Sequence, residues 1–137
     1  MHVTPYLNFN GCCEEALEFY KQALGATVKM MLRMKDSPEQ APPGMMPPGM
    51  ENKIMHADVQ IGDSVILASD CHSEVQAKFQ GFSLTLTVKN EAEADRVFAA
   101  LANGGQIQMP LAKTFFSPRF GTLADRFGVS WTIYTSA

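Results

Sequence analysis

Charge is scarce in this chain. Charged residues make up 18%, with 11 Lys and Arg against 14 Asp and Glu, for a net charge of −3. No basic cluster is available to neutralise phosphates, so nucleic acid is not an expected partner. Long apolar runs are missing too, and none approaches the roughly 20 residues needed to cross a bilayer. The N-terminus "MHVTPYLNFN" has no basic segment leading into an apolar one, so no secretion signal is expected. Cysteine is limited to Cys12, Cys13 and Cys71. An odd number makes no disulfide framework and suits a reduced, cytoplasmic setting. No glycine-rich loop joins a strand to a helix in the manner of a nucleoside site, so no cofactor is expected.

What is present is an internal repeat. "LNFNGCCEEALEFYKQALGATVKM" (7–30) lies over "LTVKNEAEADRVFAALANGGQIQM" (86–109) at an offset of 79. Leu7 meets Leu86, Glu14 meets Glu93, Phe19 meets Phe98, Gly25 meets Gly104 and Met30 meets Met109. Further on, "IGDSVIL" (61–67) lies over "FGVSWTI" (127–133) at an offset of 66. The offsets differ by 79 − 66 = 13, so the first copy carries 13 extra residues between its second and third strands. The Pro/Gly/Met-rich segment "APPGMMPPGM" (41–50) sits there. It is therefore a loop grafted into one copy, spanning 36–52, and not a linker between domains.

Each copy reads strand, helix, three strands. "PYLNF" and "SLTLTV" alternate, with Pro5, Leu7 and Phe9, and Leu84, Leu86 and Val88, on one face. Apolar stripes at helical spacing follow: Cys13, Ala16, Leu17, Tyr20 and Leu24, then Ala94, Val97, Phe98 and Leu101. Asn90 with Glu93 has capping-box spacing, and Gly25 and Gly104 are helix stops. Further strands are predicted at 27–34, 54–61 and 64–69, and at 106–111, 120–126 and 130–135. The chain is expected to be one α+β domain over 1–137, built from a module at 1–70 and a module at 80–137.

This duplicated module resembles the vicinal oxygen chelate (glyoxalase/bleomycin-resistance/dioxygenase) superfamily. "TPYLNFNGCCEEALEFYKQALG", "IMHADVQIGDSVILASD" and "FGTLADRFGVSW" resemble its PhnB-like branch more narrowly. The resemblance implies two βαβββ half-barrels around a cleft that holds a small organic ligand, within one chain or by exchange across a dimer. A homodimer is expected on physical grounds as well, because two such modules leave strand edges and apolar surface that one small chain covers poorly.

The superfamily's usual metal set is two His and two carboxylates from the first and last strands. The resemblance places these positions at about Thr4, Ile66, Ser83 and Thr132, none of which is a strong ligand, so no metal is expected. The polar residues alternating with the apolar faces are the candidate ligand-binding set: Tyr6, Asn8, Ser83, Thr85 and Thr132. Phe116 and Arg119 in "KTFFSPRFG" could stack on and pair with an anionic ligand, or be core and surface residues. His56 and Asp58 share a strand face and could form an oriented base or a plain structural hydrogen bond. They are the candidate catalytic pair.

Other features read as structural. His2 is terminal, and His72 lies in a polar loop, "DCHSE". Cys12 and Cys13 open a helix, where a thiol pKa can fall, but no histidine is evident beside them. Trp131 alternates into the core. The loop at 36–52, with four prolines and two glycines between 41 and 50, is expected to form a mobile flap, over a ligand or on a partner subunit. Three functions fit: a metal-free small-molecule binder, a lyase, isomerase or hydrolase using His56–Asp58 or an atypical metal, and an interaction module.

Overall fold

A computed structural model describes residues 1–37, 49–70 and 78–136. The chain divides into two compact units, Met1–Ala77 and Lys78–Ala137. The first runs β1 (Tyr6–Asn8), α1 (Cys13–Leu24), β2 (Thr27–Arg33), a short 3-10 turn, β3 (Ile54–Ile61) and β4 (Ser64–Ser69). The second runs β5 (Leu84–Val88), α2 (Glu91–Ala102), β6 (Gln106–Ala112), β7 (Phe120–Ala124) and β8 (Ser130–Thr135). Each unit is one four-stranded sheet, ordered β1-β4-β3-β2 and β5-β8-β7-β6, with its helix on one face. The fold is α+β, a twice-built βαβββ module. No helix among the described residues is long and apolar enough to cross a membrane.

The cores follow the alternation. Leu7, Phe9, Ala57, Val59, Ile66 and Ala68 are buried with Ala16, Leu17 and Tyr20 of α1. Leu123, Trp131 and Ile133 are buried with Ala94, Val97, Phe98 and Leu101 of α2. Leu24 departs from the expected stripe. It is half-buried, and Ala23, three residues after Tyr20, takes the buried position instead.

Two loops explain the offsets. The β2–β3 connection runs from 34 to 53 and the β6–β7 connection from 113 to 119, which is 20 against 7 residues and a difference of 13. Residues 38–48, most of the 36–52 loop read as a flap, lie outside the described residues, as do Cys71 and His72. The last hairpins also differ. Ile61 pairs with Ser64 across the two-residue turn Gly62-Asp63, whereas Ala124 pairs with Ser130 across five residues, 125–129. Matching "GDS" to "GVS" therefore slips the last strand by one residue. Tyr6 pairs with Leu67 and Thr85 with Thr132, so the true offset there is 132 − 67 = 65. The expected 120–126 strand stops at Ala124 for the same reason. Asp125 turns the chain by accepting from the Phe127 N–H (2.8 Å), the Val129 N–H (3.1 Å) and the Trp131 indole N–H (2.8 Å).

Bulges re-aim the edge strands. Val28 pairs with Val59, but Met30 pairs with Asp58, so Lys29 is an extra residue in β2. Simple alternation would put Met30 and Leu32 on the helix side with Val28. After the bulge they share the face of Asp58 and His56. Gln108 does the same in β6, between Ile107 opposite Leu123 and Met109 opposite Thr122. Both bulges lie on strands at a sheet edge, where irregularity discourages pairing with a stray chain.

Candidate functional site

The helix-free face of the first sheet gathers Tyr6 and Asn8 from β1, Leu67 and Ser69 from β4, His56 and Asp58 from β3, and Met30 and Leu32 from β2. On it three polar side chains form a continuous hydrogen-bonded chain. His56 Nε2 lies 2.9 Å from Asp58 Oδ1, and the Tyr6 hydroxyl lies 3.2 Å from His56 Nδ1. The Tyr6 and His56 rings are tilted at 47° with centroids 5.7 Å apart. Tyr6 reaches across Leu67 to do this, because β4 lies between β1 and β3. Beside it, Asn8 Oδ1 accepts from the Ser69 hydroxyl at 3.0 Å. The group is partly solvent-accessible, with His56 and Asp58 side chains 31% and 39% exposed. The expected pair His56–Asp58 is thus brought together with Tyr6. Sequence alternation could place His56 and Asp58 on one face, but a contact across a third strand leaves no such signal.

The second sheet offers a different open face. Thr85 and Thr87 of β5, Thr132 and Tyr134 of β8 and Thr122 of β7 share it by register. Ser83 precedes β5, and its hydroxyl lies 2.9 Å from the Thr132 hydroxyl. Phe116 meets Phe120 edge-on at 5.1 Å, and Phe115, also edge-on to Phe116, is fully exposed. The turn carrying them is tied by Thr114 N–H to Ser117 O (2.9 Å) and Ser117 N–H to Thr114 Oγ1 (3.0 Å). Arg119 does not join Phe116. Its Nε donates to Asp95 of α2 at 3.2 Å, so it is turned to the helix side of the sheet.

Asp70 is the residue that sequence reading undervalued. It is 3% exposed and sits just past β4. Its Oδ1 accepts from the Gly11 N–H (2.7 Å) and the Cys13 N–H (2.9 Å), and its Oδ2 from the Ile54 N–H (2.9 Å). It therefore caps α1 from 57 residues away, while Cys12, the N-cap residue, supplies no side-chain cap. The same carboxylate bears on the cysteines. Burial first, then the charge of Asp70, pushes the thiols of both Cys12 and Cys13 up. A helix N-terminus lowers a thiol pKa only while its dipole is not already answered by an anion.

A family model described as 3-demethylubiquinone-9 3-methyltransferase matches residues 1–134. The chain belongs to this PhnB-like family. Protein YjdN of Escherichia coli K12 is 37% identical over 97% of this chain and 94% of its own length. The crystal structure of PA1353 from Pseudomonas aeruginosa superposes with a TM-score of 0.86 at 43% identity, covering 99% of this chain and 98% of that one. A PhnB protein from Bacillus cereus does so at 0.82 and 31% identity, over 99% and 100%. The fold extends to a glyoxylase/bleomycin resistance protein/dioxygenase domain from Frankia, with a TM-score of 0.70 at 12% identity over 100% of this chain and 92% of that one.

The described residues of this PhnB-like chain are not arranged for the groups that these names suggest. Methyl transfer from a nucleoside cofactor calls for a helix N-terminus or glycine-rich turn free to meet the cofactor. Here the α1 N-terminus is filled by Asp70, and the α2 N-terminus by Asn90, whose Oδ1 accepts from the Glu93 N–H at 2.8 Å. The metal positions need one correction. Ile66 is 5% exposed on the helix face, and the residue beside Tyr6 is Leu67. Thr4 and Ser83 both precede their strands. Leu67 supplies no donor, and Thr4, Ser83 and Thr132 supply only neutral hydroxyls. Among the described residues no three His, Cys, Asp or Glu side chains are grouped to hold a metal ion.

Proposed function

We propose that this PhnB-like protein binds a small organic molecule on the helix-free face of its first sheet, without a metal at the superfamily's usual positions. The observation that carries this is the Tyr6–His56–Asp58 hydrogen-bonded chain beside the apolar Met30, Leu32 and Leu67. A polar cluster flanked by flexible apolar side chains is the usual make-up of a ligand surface. In the second unit, Thr85, Thr132, Ser83 and Phe116 offer hydroxyls and one ring as a candidate ligand surface of their own. The working form is a homodimer. Met30, Met31, Ile107 and Met109 leave the edge strands β2 and β6 apolar and exposed in the single chain.

A thermal-shift screen of small neutral and acidic compounds tests the site. A ligand that binds only the folded state raises the melting temperature. Leu67→Lys should abolish that rise while leaving the fold intact. A hit whose shift is indifferent to Leu67→Lys would place binding elsewhere. Protein purified without added metal should contain no stoichiometric Zn, Fe, Ni or Mn by elemental analysis. About one such ion per chain, lost on Ser83→Ala with Thr132→Val, would overturn the metal-free reading. Light scattering at micromolar concentration should give twice the chain mass, and monomer alone would remove the dimer.

A further inference from the structure

Resting on that site, we propose that the Tyr6–His56–Asp58 chain is a proton relay whose working end is the Tyr6 oxygen. Its substrate is a neutral carbonyl compound bearing a hydrogen on the carbon next to the carbonyl. The direction of the chain follows from what each atom can do. An ionised Asp58 carboxylate only accepts, so His56 Nε2, 2.9 Å away, carries the ring proton. His56 Nδ1 then has a lone pair, and the Tyr6 hydroxyl at 3.2 Å donates to it. The phenolic proton therefore points inward along the sheet, and the oxygen lone pairs face outward. An outward oxygen whose own proton is already shared with an imidazole accepts a proton from a ligand. Asp58 then balances the imidazolium formed at His56.

The proton and electrons balance within one substrate. A C–H bond beside the carbonyl breaks, its electron pair moves into the enolate, and the proton passes to Tyr6 as the phenolic proton passes to His56 Nδ1. Reversal onto the same carbon from the other side, or onto the neighbouring atom, gives an epimer or an isomer. No oxidant or reductant is consumed. Asn8 supplies the partner for the enolate oxygen. Its Oδ1 is held by the Ser69 hydroxyl at 3.0 Å, which leaves the amide N–H₂ as the outward end. Asn8 stands two residues from Tyr6 on the same face, roughly 7 Å along the strand. That spans a carbonyl and its neighbouring carbon with a hydrogen bond at each end. The substrate class follows from the surroundings. Met30, Leu32, Leu67 and Val65 join this face by register, and among its described strand positions no Lys or Arg stands opposite a partner there. The described strand positions paired on this face therefore do not favour a phosphate or a dianion. Tyr6 is the catalytic residue, His56 the proton carrier, and Asp58 a positioning residue that fixes the tautomer.

Nitrogen-15 NMR of the ligand-free protein is the first test. The imidazole of His56 should carry its proton on Nε2, and Asp58→Asn should mix the two tautomers without changing the melting temperature greatly. A native Nδ1–H tautomer overturns the relay. The second test incubates the protein in D₂O with hydroxyacetone and 2-butanone. Proton NMR follows loss of the α-hydrogens, and saturation transfer follows binding. General acid–base catalysis of this kind gives roughly 100-fold or more over buffer. Tyr6→Phe and His56→Gln should abolish the exchange while saturation transfer persists. Binding without exchange in the native protein overturns the relay and leaves the binding site standing. Exchange that survives Tyr6→Phe overturns the role of Tyr6. Absence of binding by either ketone overturns the substrate class, and a thermal-shift hit of another class would then show the site itself to be sound.

Discussion

The two helices are of equal length, twelve residues each, and begin in different ways. The α2 helix is capped by its own sequence. Asn90 accepts from the Glu93 N–H, and Glu93 Oε2 in turn accepts from the Lys89 N–H at 3.2 Å. The α1 helix has no such local device and depends on Asp70, from the far end of its module. The same architecture is thus held by short-range chemistry in one copy and long-range chemistry in the other. A repeat seen in sequence guarantees a shared topology, and the polar groups that complete it are free to diverge.

The sharpest way to break this comparison is to remove each cap. Asp70→Ala strips a buried carboxylate from three backbone donors and should cost about 3–5 kcal/mol. Asn90→Ala should cost about 1 kcal/mol. Urea melts of the two variants against the native protein measure the gap, and equal losses would show the two ends to be equivalent. Next is loop length. Replacing 38–48 with a short turn, to bring this connection closer in length to that of the second module, should change stability by less than about 1 kcal/mol, since closure entropy grows only logarithmically. A larger loss would mean that the Pro/Gly/Met segment packs as core or as dimer interface, contrary to the flap proposed for it.

The smallest effect belongs to the ion pair that ties β2 to α1 in the first module. Arg33 grips Glu14 of α1 through two hydrogen bonds of 3.0 and 2.7 Å and also donates to the Asn52 carbonyl at 2.8 Å. The hydrogen bonding from Arg33, ahead of its charge, holds the Glu14 carboxyl below its ordinary value. A folded pKa below the unfolded one stabilises above the unfolded value and is lost as pH falls through the folded one. Glu14→Gln should therefore melt slightly lower than the native protein at pH 7, and the two should converge in acid. Added salt should narrow the pH 7 difference as well, because the pair is exposed.

Much of this was legible in the sequence. Alternation in "SLTLTV" and helical spacing in "EAEADRVFAALA" are local signals, and they set the elements and the Trp131 core position. The 13-residue surplus of one connection was visible as a difference of offsets. Register was harder. A bulge at Lys29 turns Met30 to the other face without altering composition, and a two-residue turn matched to a five-residue one puts Ile66 where Leu67 belongs. Contacts between distant residues were harder still. Asp70 reads as one polar residue of a polar loop, Tyr6 gives no hint of reaching His56, and Arg119 gives none of turning to Asp95.

The distant cap on α1 also sets a timetable. A ribosome releases the α1 sequence long before it has made Asp70, so this helix must wait, uncapped, for the rest of its sheet. The α2 helix carries its cap with it and can form as soon as it emerges. Peptides of residues 9–26 and 88–105 should show this by circular dichroism, the second more helical than the first. Nascent chains stalled short of residue 70 should accordingly be protease-sensitive through α1, while a second module made by itself should protect α2.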